Sequence, residues 1–212
     1  MTIPTTYTNL QTAVEADLAR SDLTAELPNF INRGEAILNR RLRLLIMETS
    51  VNSTLSASAE TMSLPTGFLE HINLRFSSDN WPLTQVAWDD LDALKTTATG
   101  RPSIYSIGAS VEFDHAADQE YTLKHRYFRR WDLASDETNT LLTNEPDIYL
   151  HASLVGSIPR TGMHPRAQGW IDMLEEGITQ LKRVDGRTRR QRIQRVDAAL
   201  VQTRQFDINR GY

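Results

Sequence analysis

The sequence predicts an α+β fold: an antiparallel α-helical bundle with an inserted small β domain and an extended C-terminal arm. Three observations lead there. Apolar residues recur at helical spacing over residues 1–46 and again over 131–185. Between them, over 47–130, apolar and polar residues alternate as they do along strands. Beyond Gly186 the chain becomes arginine-rich and its apolar residues thin out, so residues 186–212 read as a basic C-terminal arm. The β block lies between two helical stretches, which makes it an insertion in the bundle.

The first helix is signalled by Leu10, Val14 and Leu18 at intervals of four, with Thr6 or Thr8 available as a cap. A longer helix follows from Leu27 and Pro28, with Phe30, Ile31, Ile37, Leu38 and Leu42 on one side and Arg33 and Arg40 away from it. Its Gly34 costs about 1 kcal/mol against alanine in a helix interior, which is tolerable where a neighbouring helix crosses closely.

After Met47 the pattern changes. "SVNSTLSAS" and "ETMSLP" read as two strands joined by a turn around Ala59, and Ile72, Leu74 and Phe76 alternate along a third. Pro82 confines "WPLTQV" to a sheet edge, and "WDDLDALK" is a short helix with acids in its first turn. "SIYSI" and "VEF" flank Gly108, Ala109 and Ser110 as a hairpin whose glycine is expected to take positive φ. "EYTLKHRYF" alternates Tyr121, Leu123 and Tyr127 against Thr122, Lys124 and Arg126. Helical spacing then returns around 146–158 and from Arg166 to Leu181, with Gly186 closing that run.

The chain of 212 residues contains no cysteine, which excludes disulfides and thiolate metal sites. No stretch approaches the ~20 apolar residues that cross a bilayer, so the expectation is a soluble protein made in the cytoplasm, with no membrane partner. The net charge of −4 is unevenly spread: residues 182–212 carry nine Lys or Arg against three Asp, and the rest carry 14 against 24. A basic terminal segment on an acidic body marks an arm for an acidic partner.

No phosphate-binding loop, dinucleotide fingerprint, nucleophile elbow or H-E-x-x-H helix is present, so no catalytic residue, cofactor or metal is assigned. Three clusters invite chemistry. Asp147, His151 and Ser153 lie close in sequence, but Ser153 is two positions from His151 and points away on a helix. The stretch reads as a helix start, with Asn144 as cap and Pro146 in the first turn. Asp114, His115 and Asp118 could surround a cation, and read instead as a solvated hairpin tip. Asp89, Asp90 and Asp92 read as the start and exposed face of a helix.

The tail is the candidate interaction segment. Arg187, Arg189, Arg190, Arg192 and Arg195 are suited to acidic groups, and Ile193, Val196 and Leu200 to shallow apolar pockets between them. A sequence-blind nucleic-acid arm does not need those apolar residues, which favours protein docking over the alternative, a nucleic-acid-binding protein using this arm.

The order of "LPNFINRGEAILNRRLRLLIMETSVNSTL", "SLPTGFLEHINLRF", "WPLTQVAWDDLDAL", "TGRPSIYSIGASVEF", "YTLKHRY" and "LLTNEPDIYLHASL" resembles the head-to-tail adaptor (connector) proteins of tailed bacteriophages, including the tail-tubular type of short-tailed phages. The resemblance spans residue 27 to about 182, and it rests on fold and hydrophobic positions, so it carries over no active site. It implies a structural virion protein at the head–tail junction, forming a ring, commonly of twelve copies. It also implies the portal protein above, a downstream tail (nozzle or stopper) protein below, and genomic DNA passing through the channel without specific binding. The basic arm then becomes the portal-docking element.

Overall fold

A computed structural model describes residues 3–162 and 165–200, the last ten of these by backbone alone. The fold is α+β, with helices and antiparallel sheets. The chain divides into two compact units, one of Met1–Ile46 with the chain from Asp132 onward, the other of Met47–Trp131.

The helical unit begins with α1 (Tyr7–Leu18), whose Thr6 side chain caps the start by accepting the Asn9 N–H at 3.3 Å. A 3-10 stretch leads into α2 (Leu27–Arg41), with Pro28 in its first turn. After the second unit come α4 (Leu133–Asp136), α5 (Thr140–Asn144), α6 (Pro146–Thr161) and α7 (Ala167–Leu200). Leu10, Val14, Phe30, Ile31, Leu38, Tyr149 and Leu154 form its fully buried interior.

The tightest crossing in this unit joins α2 and α6. A Cβ added at Gly34 would lie 2.6 Å from the Ala152 backbone, and one at Gly156 would run into the Phe30 carbonyl oxygen. Two glycines at one crossing let the backbones touch, which accounts for a residue that otherwise weakens a helix.

A buried carboxylate ties α2 to the chain that returns from the β unit. Glu35 accepts the Leu133 N–H at 3.1 Å and the Tyr149 hydroxyl at 3.0 Å. Asn139 donates to the Tyr149 oxygen at 2.7 Å and caps α5 through the Leu142 N–H. The α6 start differs from expectation: Pro146 is its first residue and Glu145 the preceding one, whereas Asn144 ends α5.

The β unit holds β1 (Glu48–Leu55), β2 (Thr61–Ser63), β3 (Phe68–Phe76), β4 (Thr84–Gln85), α3 (Trp88–Leu94), β5 (Thr99–Gly100), β6 (Ile104–Ile107), β7 (Ser110–Phe113), β8 (Ala116–Ala117) and β9 (Tyr121–Arg129). One antiparallel sheet has the order β1-β9-β3; a second sheet, β2-β7-β6-β4, is antiparallel except for its parallel β4–β6 pair, and β5 pairs with β8 in parallel. Although adjacent in sequence, β1 and β2 thus belong to different sheets. Leu55, Leu74, Phe76, Tyr105, Val111, Phe113 and Leu123 fill the core between them.

Two local expectations need correction. Gly108 does not take positive φ: among the described residues only Gly67 and Gly162 are glycines that do. What demands glycine there is the Trp88 indole, which a Cβ would meet at 2.7 Å. Asp114 is no solvated hairpin tip, being 2% exposed and bound to the Ser103 N–H at 3.1 Å and hydroxyl at 2.8 Å.

Candidate functional site

The expected arm at Gly186 is helical instead. α7 runs unbroken from Ala167 to Leu200, so the extended C-terminal arm beginning at 186 is corrected to a helix at least as far as Leu200. Glycine in a helix costs about 1 kcal/mol, and a long-range clamp on either side of Gly186 offsets it. Asp185 accepts the Leu45 backbone N–H at 2.6 Å with one carboxylate oxygen and the Arg189 Nε with the other. Arg189 Nη2 in turn donates to the Arg43 carbonyl at 2.8 Å. These bonds hold one turn of α7 to the segment that leaves α2, and the Asp185–Arg189 pair adds helical i,i+4 support.

The predicted docking residues therefore fall into three groups. Arg189 is engaged within its own chain. Arg187 and Arg190 are exposed on α7. Arg192, Ile193, Arg195, Val196 and Leu200 lie on the helical backbone, and their side chains are outside the described residues, as is everything from 201 to 212. One turn nearer the body, Lys182 and Arg183 are also exposed, so the basic surface of α7 begins before the predicted arm.

Alongside that surface α6 and α7 enclose an open groove of about 310 Å³. Ile148, Gly177 and Leu181 line it, with Met173 and Val184 exposed by 57% and 59%, and Glu145, Asp147 and Glu176 at its edge. Gly177 sets its depth, since a Cβ there would press on Ile148 Cγ1 at 2.9 Å. His151 also faces this groove. Burial lowers its pKa, with the Asp147 and Asp17 charges pulling the other way. Ser153 is buried and donates to the Tyr149 carbonyl at 2.8 Å, so the three residues form no nucleophilic array.

The other candidate clusters are structural by geometry. Burial raises the Asp114 pKa, but the hydrogen-bonding groups around it, the Ser103 hydroxyl and N–H foremost, together leave it below its ordinary value. His115 Nδ1 lies 3.0 Å from Asp114 Oδ2 without the alignment of a hydrogen bond, and Asp118 accepts the Tyr121 hydroxyl at 2.7 Å. Among the described residues no group of three or more His, Asp or Glu is placed to hold a metal ion. Asp89 and Asp90 fall in the first turn of α3.

Sequence reasoning passed over one cluster altogether. His71 on β3 and His125 on β9 are hydrogen-bonded at 3.0 Å, and the Tyr105 hydroxyl on β6 lies 2.6 Å from the other nitrogen of His71. Burial lowers both imidazoles to about 4, with the second histidine adding to the shift at His71, and raises the phenol to about 12. At neutral pH the three are uncharged and link the two larger sheets of this unit. The clue lay in "YTLKHRYF", where His125 falls on the same alternating face as Leu123 and Tyr127.

The helical unit thus carries a long clamped helix with an exposed basic surface and an open groove beside it. The model of the SU10 adaptor protein family matches residues 5–197. The chain belongs to the SU10 adaptor protein family. That is a phage head–tail adaptor family, structural and generally without enzymatic activity, and the match includes both units and nearly all of α7. Membership makes the adaptor a virion component of the head–tail junction, associated with portal and tail components. No curated protein matches the chain. Among the described residues no helix is long and apolar enough to cross a membrane. Nothing in the fold or the family match favours the nucleic-acid-binding alternative.

Proposed function

We propose that this adaptor forms a ring, of twelve copies by its resemblance to connector proteins, that joins the portal to the downstream tail protein and lets the genome pass through its channel. In this reading the helical unit is a bundle interrupted by the β unit as an inserted domain. The observation that supports it is the family match over residues 5–197, which includes the basic portion of α7. The acidic remainder of the chain suits a conduit, because like charge repels the DNA that must slide past.

Portal docking is assigned to the C-terminal portion of α7. Arg187, Arg190, Arg192 and Arg195 meet acidic groups of the portal, and Ile193, Val196 and Leu200 fill pockets between them. Each exposed charge pair contributes only about 0.2–1 kcal/mol, so repetition around the ring supplies most of the hold. Arg189 serves differently: by bonding Asp185 and the Arg43 carbonyl it fixes the direction in which the helix leaves the body.

Labelling intact virions with an antibody against the chain tests the reading. Label at the head–tail junction is expected; label confined to the capsid or to the distal tail overturns it.

A further inference from the structure

The groove between α6 and α7 is lined by apolar residues and by the carboxylates of Glu145, Asp147 and Glu176, with His151 and Gln180 also in its lining, and among the described residues no lysine or arginine pairs with those three carboxylates. An exposed lysine occurs on another face of the same helix. Lys182 follows Gly177 by five residues, about 140° around α7 at ~100° per residue, so it faces away from the groove that Gly177 lines. A rigid helix cannot turn that face into its own groove. A second copy can.

We propose that the α6–α7 groove of each adaptor copy receives the Lys182 face of the next copy in the ring. The inference rests on the adaptor reading and adds the contact that closes the ring. Lysine suits a groove of this composition, because its aliphatic stem covers apolar surface while its charged end reaches the carboxylates. Met173 and Val184 lose exposure beneath that stem, and the carboxylates of Glu145, Asp147 and Glu176 gain a cation. Donor and acceptor lie on different faces, so the contact is head-to-tail and propagates from copy to copy, unlike a self-complementary pair that stops at two.

The absence of cysteine allows a direct test. A Met173→Cys, Lys182→Cys double variant carries its two thiols nine residues apart on one helix, about 13 Å along the axis and on different faces. A disulfide needs Cα atoms within about 7 Å, so any bridge must join two copies. Virions carrying the variant are oxidised mildly and their proteins separated without reductant. The expected result is a ladder of dimers, trimers and larger species, with each single variant remaining monomeric. Incorporated protein that stays monomeric, or stops at dimers, overturns the proposal and leaves the adaptor reading standing. Wild-type protein missing from virions would instead sink the adaptor reading. Should the cysteines impair folding, charge reversal decides: Glu176→Lys is expected to reduce incorporation at least tenfold, and adding Lys182→Glu to restore it. A Glu176→Lys chain that assembles at wild-type level contradicts the contact.

Discussion

His71 Nδ1 lies 3.0 Å from His125 Nε2, and both rings are neutral at pH 7 because burial holds each pKa near 4. His125 is fully buried and its Nδ1 has no partner, so a second proton there would leave a buried charge without a hydrogen bond. The folded protein then binds fewer protons than the unfolded chain between about pH 6.5 and 4. Stability therefore falls as pH drops through that window and levels off below it. The loss is about 2–3 kcal/mol for one histidine. Urea unfolding at pH 7, 5 and 4 checks this. His71→Gln should flatten the dependence, and an unchanged slope in that variant would show that other groups control it.

Glu35 and Tyr149 make the second prediction. Glu35→Ala leaves the Leu133 N–H and the Tyr149 hydroxyl without their acceptor inside the helical unit, at a cost of about 2–4 kcal/mol. Glu35→Gln keeps one acceptor oxygen and should cost about 1 kcal/mol. Thermal melts of the two variants separate the lost hydrogen bonds from the lost charge, and equal melting points would contradict the bonding described.

Glycine substitutions should divide sharply. Gly34→Ala meets the Ala152 backbone and is expected to destabilise by about 2 kcal/mol or more despite alanine's better helix propensity. Gly186→Ala has nothing within 4 Å and lies inside α7, so it should stabilise by about 0.5–1 kcal/mol and increase helical circular dichroism. No gain at Gly186 would argue that the helix stops there, as the sequence alone suggested.

The α+β class was legible because helical spacing gives way to alternation just where α2 ends and β1 begins. Much of the surface proposed for docking was not. Gly186 beside a run of arginines looks like a stop, and what carries the helix onward is a bond from Asp185 to Leu45, 140 residues away in sequence. Such partners leave no local trace. Gly34 was readable as a close crossing, whereas its counterpart Gly156 emerged only from the packing. His125 was hidden by its type, because a histidine on an alternating strand counts as polar until His71, Phe68 and Tyr127 are seen around it. The α6–α7 groove brings Glu145 and Val184 together across the length of α6 and the loop after it, a juxtaposition that periodicity does not encode.

The docking proposed for α7 gives a truncation test. Removing residues 191–212 retains Arg189 and its bonds to Asp185 and Arg43, so the body should unfold at an unchanged temperature. Attachment to the portal should be lost. A truncated chain that binds portal rings at wild-type affinity would move portal docking away from this helix.

The most direct measurement of the central claim is binding of the purified full-length adaptor to purified portal rings, set beside duplex DNA alone at moderate salt. The account predicts a stable, stoichiometric complex with the portal that withstands sedimentation, and no retained complex with DNA at the same salt. Retention on DNA with no portal complex would contradict it.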